Sequence, residues 1–269
     1  MALGEVIVGT SGYSFPDWVG PFYPPGMKSG DFLRFYSERF PVVEVNSTYY
    51  RIPPPKTLEQ MEKKTPPGFR FVVKLHQSMT HEGAKDPALY AQFLGVLEPL
   101  KAAGKFDALL AQFPWGFQRT PANREHLRTL RERLPGEPLF VEFRHRSWIT
   151  PELATELRAL DLGYCAVDEP PLPGLVPPIV LHTATDGYVR LHGRNSATWW
   201  GRSGGDRYDY DYTEAELREW LKKVTALAEQ ARRTYLFFNN CHAGQAARNA
   251  SLMQELLRQQ RGSASGTPP

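Results

Sequence analysis

The sequence predicts an α/β protein folded as a single TIM-like (β/α)₈ barrel whose sixth helix is missing or reduced. Three observations carry this expectation. Short, β-rich apolar runs alternate about eight times with helix-period segments across short connections. The length of 269 residues lies near the ~250 typical of such barrels. No linker-like change of composition interrupts the chain before its end. Residues 1–258 therefore read as one domain, and 259–269, poor in apolar residues, as a disordered tail. An open, doubly wound sheet shares the local signature and is the alternative architecture.

The elements follow in order. Glu5 to Gly9 is the first strand, and Thr10 to Pro25 a loop rich in Gly, Pro and aromatics. Ser29 or Asp31 can cap a helix to about Arg39, with Phe32, Leu33, Phe35 and Tyr36 on its apolar side. Val42 to Asn46 is the second strand, Thr48 to Pro55 a loop, and Thr57 to Lys64 a short helix broken by Thr65-Pro-Pro-Gly. Phe69 to Lys74 is the third strand, leading into a polar loop with His76, Thr80 and His81. Pro87 to Lys101 is helical and stops at Gly104, and Phe106 to Phe113 is the fourth strand. Ala122 to Leu134 is a basic amphipathic helix, Leu139 to Phe143 the fifth strand. Thr150 and Pro151 start a helix to Leu160, and Gly163 to Val167 is the sixth strand. Glu169 to Gly187 holds too many prolines for a crossover helix. Tyr188 to His192 is the seventh strand. Gly193 to Tyr212 is a long aromatic loop whose Gly201, Gly204 and Gly205 leave it free to close over a ligand. Thr213 caps a helix to about Arg232, Tyr235 to Phe238 is the eighth strand, and Ala243 to Arg258 the last helix.

Composition narrows the function classes. A net charge of +3 and a pI near 8.8 are too mild to imply a nucleic-acid or membrane partner. Cys165 and Cys241 are the only cysteines and have no metal-like or redox spacing, which suits a reduced cytoplasmic setting. The start of the chain shows no signal-peptide pattern, and no apolar run approaches the ~20 residues of a membrane span.

The chemistry gathers at the strand ends. In Leu139 to Trp148, Phe140, Glu142 and Arg144 share one face of a strand, because side chains alternate. Other strands end alike: Glu44 and Asn46, Lys74, Gln112, Asp168, Arg190 and His192, and Asn239 or Asn240. In a barrel these C-terminal ends surround the active site. Glu44, Glu142 and Asp168 balance Lys74, Arg144 and Arg190, which suits a structural salt-bridge network as well as a site offering both acid and base. If the mouth is hydrated, Glu142→Gln costs little stability.

In Glu44-Val-Asn46-Ser-Thr48-Tyr-Tyr50, Lys74…Thr80-His81, Val141 to Trp148, Tyr188 to Arg194 and Phe238-Asn-Asn240 the chain resembles the YecE-like family. Gly9-Thr-Ser-Gly12, Trp18 and Phe22-Tyr23-Pro24 resemble its N-terminal signature, and the likeness runs from about Val6 to Leu257. The resemblance implies a TIM-barrel-like fold and supplies no reaction, since the family is one of unknown function. Tyr49 stands where Phe is more usual, and Cys241-His242 follows Asn240 where an acidic residue is common.

Three chemistries compete for the mouth. Gly193-Arg194 and Asn240 to Gly244, with Lys74, Arg144 and Arg190, suit an anion near the start of the last helix. Glu44, Glu142, Asp168 and His192 could hold a divalent ion, but the three cations among them disfavour it, so no metal ligand is assigned. Glu142, Glu44, His192 and Asp168 are the candidate acids and bases, His192 near the working pH range. Lys74, Arg144, Arg190, Asn46, Arg194, Asn239 and Asn240 are the candidate binding residues. The favoured reading is an enzyme acting on a phosphorylated or otherwise anionic small molecule. The alternatives are a metal-dependent, endonuclease-like nucleic-acid protein with a basic groove over Arg194, Arg202 and Arg207, and a non-catalytic ligand-binding barrel. Aromatics such as Trp199, Trp200, Tyr208 and Tyr210 mostly pack the loops over the barrel.

Overall fold

Eight strands close into one parallel barrel in sequence order, with the first paired to the last. The computed structural model describes residues 3–83, 86–201 and 206–265. β1 is Glu5–Ser11, followed by α1 (Phe32–Ser37), β2 (Val42–Val45), α2 (Ser47–Tyr50) and α3 (Pro55–Lys63). Then come β3 (Arg70–Lys74), α4 (Gln77–Thr80), α5 (Pro87–Ala102), β4 (Phe106–Gln112), α6 (Pro121–Arg133) and β5 (Leu139–Glu142). α7 (Leu153–Ala159), β6 (Gly163–Asp168), β7 (Gly187–Leu191), α8 (Glu214–Ala228), β8 (Arg233–Phe238) and α9 (Gln245–Ser265) follow among the described residues.

The crossover from β6 to β7 contains no helix among the described residues, as the prolines predict. Pro170, Pro171, Pro173, Pro177 and Pro178 each remove an amide donor that a helix needs.

Several boundaries differ from expectation for local reasons. α1 follows a 3₁₀ turn at Ser29–Asp31, and Asp31 makes no side-chain capping bond. The stretch after β2 is not all loop: Thr48 donates to the carbonyls of Val45 at 3.2 Å and Lys74 at 2.7 Å, and α2 forms there. α7 begins at Leu153, beyond Thr150 and Pro151, with no side-chain cap. α8 ends at Ala228, short of Arg232. α9 continues to Ser265, into the segment expected to be disordered. Low apolar content did not stop it because Gln259, Gln260 and Arg261 are good helix formers. Thr225 of α8 also donates to Gln260 at 3.1 Å.

Inside the barrel, aromatic rings fill the space that strand closure leaves. Phe140 and Tyr188 lie 4.9 Å apart, and Tyr188 and Phe237 5.3 Å. Gly163 is required beside them, since a Cβ there would stand 2.2 Å from Phe140 Cδ1. This apolar floor supports the polar mouth above it. Among the described residues, no helix is long and apolar enough to cross a membrane.

Candidate active site at the barrel mouth

Above the aromatic floor lies a layer of ion pairs. Arg190, on β7, donates from Nη2 to Glu44 Oε1 at 2.7 Å and from Nη1 to Glu142 Oε2 at 2.6 Å. It thereby joins β2, β5 and β7 through one guanidinium. Arg144 Nε donates to Glu142 Oε1 at 2.6 Å, and Tyr188 Oη to Glu44 Oε2 at 2.5 Å. His192 Nε2 lies 3.3 Å from Glu142 Oε1, while its Nδ1 accepts from Asn239 Nδ2 at 3.0 Å. Glu44, Glu142 and His192 are 0% exposed and Arg190 1%. The alternation of β2, β5 and β7 brings these candidates together, and the layer is formally neutral, two carboxylates against two guanidiniums.

Burial alone would push the Glu142 carboxyl up; Arg144, Arg190 and His192 instead hold it well below the ordinary carboxylate range. Burial, followed by Arg144, lowers His192 to about 3, so its ring is neutral near pH 7 and does not titrate in the working range as expected. Nor is the layer an open, hydrated pocket. Glu44, Glu142, Arg190 and His192 lie sealed beneath the surface, and of the strand-end residues expected around one pocket Lys74, Gln112 and Arg144 line the cleft above.

That cleft has a volume of about 280 Å³. Its polar wall is Lys74, His81, Gln112, Arg144, Glu169 and Arg207, and its aromatic wall includes Tyr49, Trp115, Trp199, Trp200 and Tyr208. Lys74 Nζ donates to Gln112 Oε1 at 2.8 Å and sits 4.2 Å over the Tyr49 ring. Burial and then Arg190 lower its amine to about 7, against the pull of Glu142 and Glu44. Glu169, 5% exposed, has Arg144 Nη1 at 3.3 Å, yet neither carboxyl oxygen has a hydrogen-bond partner among the described residues. Burial raises this carboxyl to about 8, although Arg144 pulls it down. Near neutrality the cleft thus carries a partly unprotonated amine, a protonated carboxylic acid and the cations of Arg144 and Arg207. His81, lowered to about 4 by burial and then by Lys74 and Arg144, adds no charge.

Glu169 was not among the candidates, and the reason is strand parity. Cys165 Sγ lies 3.8 Å from Glu142 Oε2 inside the barrel, so Gly163, Cys165, Val167 and then Glu169 follow the inward line. Asp168, taken as an inward acid, faces the other way. It accepts from Arg194 Nε at 2.9 Å and Tyr212 Oη at 2.7 Å. Arg194 is in turn held by Glu216 on α8 at 3.2 Å, away from the cleft. Asn240 also faces outward, donating to Asn249 of α9 at 2.7 Å and to the Tyr210 carbonyl at 2.8 Å, while Asn239 remains at the mouth. Asn46 Oδ1 is buried without a hydrogen-bond partner among the described residues. The expected anion position before α9 is met by an acid of the chain itself, because Asp17 Oδ2 accepts from the Ala243 amide at 2.7 Å.

The four residues weighed as metal ligands do not form a donor set: Asp168 faces outward, and Glu44 and Glu142 are engaged by Arg190. Among the described residues no three His, Cys, Asp or Glu side chains are grouped to hold a metal ion. Arg202, Gly204 and Gly205 lie outside the described residues. Both ends of their loop are fastened: Gly193 N donates to Tyr212 Oη at 2.8 Å, and Tyr210 N to Gln245 Oε1 at 3.0 Å. Gly193 has a φ of +92° and Tyr210 Cβ only 2.6 Å from where its own Cβ would stand, so both constraints call for glycine. Early aromatics such as Trp18 and Tyr23 are fully buried as packing, whereas Trp115 and Trp200 are 42% and 55% exposed at the cleft.

The closed parallel barrel with its polar C-terminal mouth makes this an α/β barrel protein of the TIM type. The sequence profile described as "Protein of unknown function DUF72" matches residues 7–269, and the chain belongs to that family. It is 33% identical over 269 residues to the UPF0759 protein YunF of Bacillus subtilis, covering 94% of each chain. Over 145 residues it is 30% identical to the UPF0759 protein YecE of Escherichia coli, 52% of this chain and 48% of that one. The YecE-like resemblance is therefore borne out. A solved DUF72 family protein of Thermotoga maritima superposes with a TM-score of 0.88 at 42% identity, covering 94% of this chain and 99% of that one.

Proposed function

We propose that the protein is an enzyme acting on a small anionic molecule bound in the cleft above the ion-pair layer. Arg144 and Arg207 hold the anion, the aromatic wall takes a planar or apolar portion, and Lys74 and Glu169 are the base and acid that meet the substrate. Glu44, Glu142, Arg190 and His192 then position Arg144 and Lys74 from below without touching substrate. The observation that carries this reading is the composition of the cleft. It combines cations, aromatic faces and a buried acid with unused hydrogen-bonding capacity in a space sized for a small ligand.

A nucleic-acid groove finds less support. Arg194 is committed to Asp168 and Glu216 on the outer face, so it does not extend a basic track from Arg207. Binding can be read from tryptophan fluorescence, since Trp115, Trp199 and Trp200 line the cleft. We expect phenyl phosphate to change the emission saturably, inorganic phosphate to compete, and Arg207→Gln to weaken both by about tenfold, the worth of one charge-assisted contact. No saturable change with either anion would remove the proposed function.

A further inference from the structure

We propose that Lys74 is a nucleophile that forms an imine with the carbonyl carbon of a small anionic aldehyde or ketone bound in the cleft. The inference rests on the anion-site reading above and names the substrate class of that site. Three features of geometry carry it. Lys74 is the lysine of the cleft among the described residues, and its Nζ is held at 2.8 Å by Gln112 and 4.2 Å over the Tyr49 ring. Its stem rises from the last position of β3, a rigid element that fixes the direction of attack. Glu169 lines the same cleft, buried, with both carboxyl oxygens lacking hydrogen-bond partners among the described residues. Arg144, 3.3 Å from that carboxyl, is placed to hold a carboxylate or phosphate next to the carbonyl.

The ionisation of the two groups suits this step. At pH 7 an ordinary lysine at 10.5 has roughly one amine in 3,000 unprotonated, whereas Lys74, lowered to about 7, has about half. The charged groups bearing on Lys74 are Arg190, Glu142, Glu44 and Arg144, with the neutral ring of His81 beside them; on Glu169 they are Arg144, Glu142, Asp168 and Arg190. The free amine attacks the carbonyl carbon, a C–N bond forms, and the C=O π pair moves to oxygen. A proton passes from nitrogen to that oxygen to give the carbinolamine. Glu169, held protonated, gives its proton to the hydroxyl, which leaves as water. The products are an iminium on Lys74 and the Glu169 carboxylate, and hydrolysis runs the same steps backwards.

The test uses the full chain with glyoxylate as probe and cyanoborohydride to reduce any imine to a stable secondary amine. Oxalate serves as the matching anion without an aldehyde. Peptide mass mapping should place the adduct on Lys74, forming several hundredfold faster at pH 7.5 than on exposed lysines, since about three-quarters of its amine is unprotonated there against about one in a thousand for an ordinary lysine. The rate should rise through pH about 7 and fall above about 8, following the amine of Lys74 and the acid of Glu169. Oxalate should suppress it, and Lys74→Met, shown to be folded by a cooperative melting curve, should lose it. Saturable fluorescence changes with oxalate and glyoxylate but no preferential adduct would overturn the imine while leaving the anion site standing. No response to either anion would overturn both. Adducts spread evenly over surface lysines would also refute the proposal, and this readout needs only the wild-type chain.

Discussion

Glu142 touches Arg144, Arg190 and His192 at once, so its substitution tests the whole layer. Sealed from water, it cannot be replaced by solvent as an open mouth would allow. Glu142→Gln removes the carboxylate that the buried Arg144 and Arg190 share, leaving Arg190 its pair with Glu44, and we expect a loss of about 3–5 kcal/mol in denaturant unfolding. The pH dependence has a definite sign. A carboxyl held below its unfolded value contributes stability that is complete above about pH 4.3 and disappears as pH falls through the folded value. The gap between wild type and Glu142→Gln should therefore narrow on acidification, and a gap independent of pH would count against the ion pairs as its origin. Lys74 has the opposite effect. Its folded amine is lowered to about 7, so below that pH the folded state carries the full cost of holding it charged. Between about 7 and the unfolded value near 10.5 that cost declines as pH rises. Lys74→Met should stabilise by about 1–2 kcal/mol at pH 6 and by less at pH 9, less than the whole shift implies because the amine opens onto the cleft. Equal melting shifts at the two pH values would contradict it.

At the level of elements, α8 is the clearest case of sequence setting a boundary. Thr213 accepts from the Glu216 amide while the Glu216 side chain accepts from the Thr213 amide, a reciprocal cap written in four residues. Glu216 also accepts from Tyr210 at 2.5 Å and pairs with Arg194, so it fastens the long loop to the helix. Thr213→Ala should cost about 1 kcal/mol. Glu216→Ala should cost more in thermal melts and speed amide exchange around Tyr210, whereas equal costs would reduce Glu216 to a cap. The eight strands were legible because apolar runs bounded by turn residues leave few other readings. Strand parity at the ends was less so. On β6 the inward line passes from Cys165 through Val167 to Glu169, and a shift of one position exchanges Asp168 for Glu169. Glu169 looked like the start of a proline-rich crossover, and nothing local says that the strand's alternation persists one residue past its last paired position. Asn239 and Asn240 left the same ambiguity, resolved only by His192 on one side and Asn249 on the other. Nor could spacing show that the ion-pair layer is sealed, since that depends on rings and loops distant in sequence.

For the whole molecule, the modest net charge of +3 says little about the mouth, where a neutral layer lies beneath a cationic cleft. The recognition proposed there is local, and the anion titration tests it better than any overall measure of charge. The closure of the ring has another consequence, for the order in which the protein acquires its shape. β1 finds its partner β8 along the run from Glu5 opposite Arg233 to Thr10 opposite Phe238, almost the full chain apart. While the protein is being synthesised, one side of β1 remains an unsatisfied edge until the last strand leaves the ribosome. Loop-closure entropy must be met before that seam rewards the chain, which makes docking of β8 with α9 a late and slow event. Nascent chains halted before Arg233 should therefore be protease-sensitive and prone to pair edge to edge, a hazard that ends only when the final strand zips the cylinder shut.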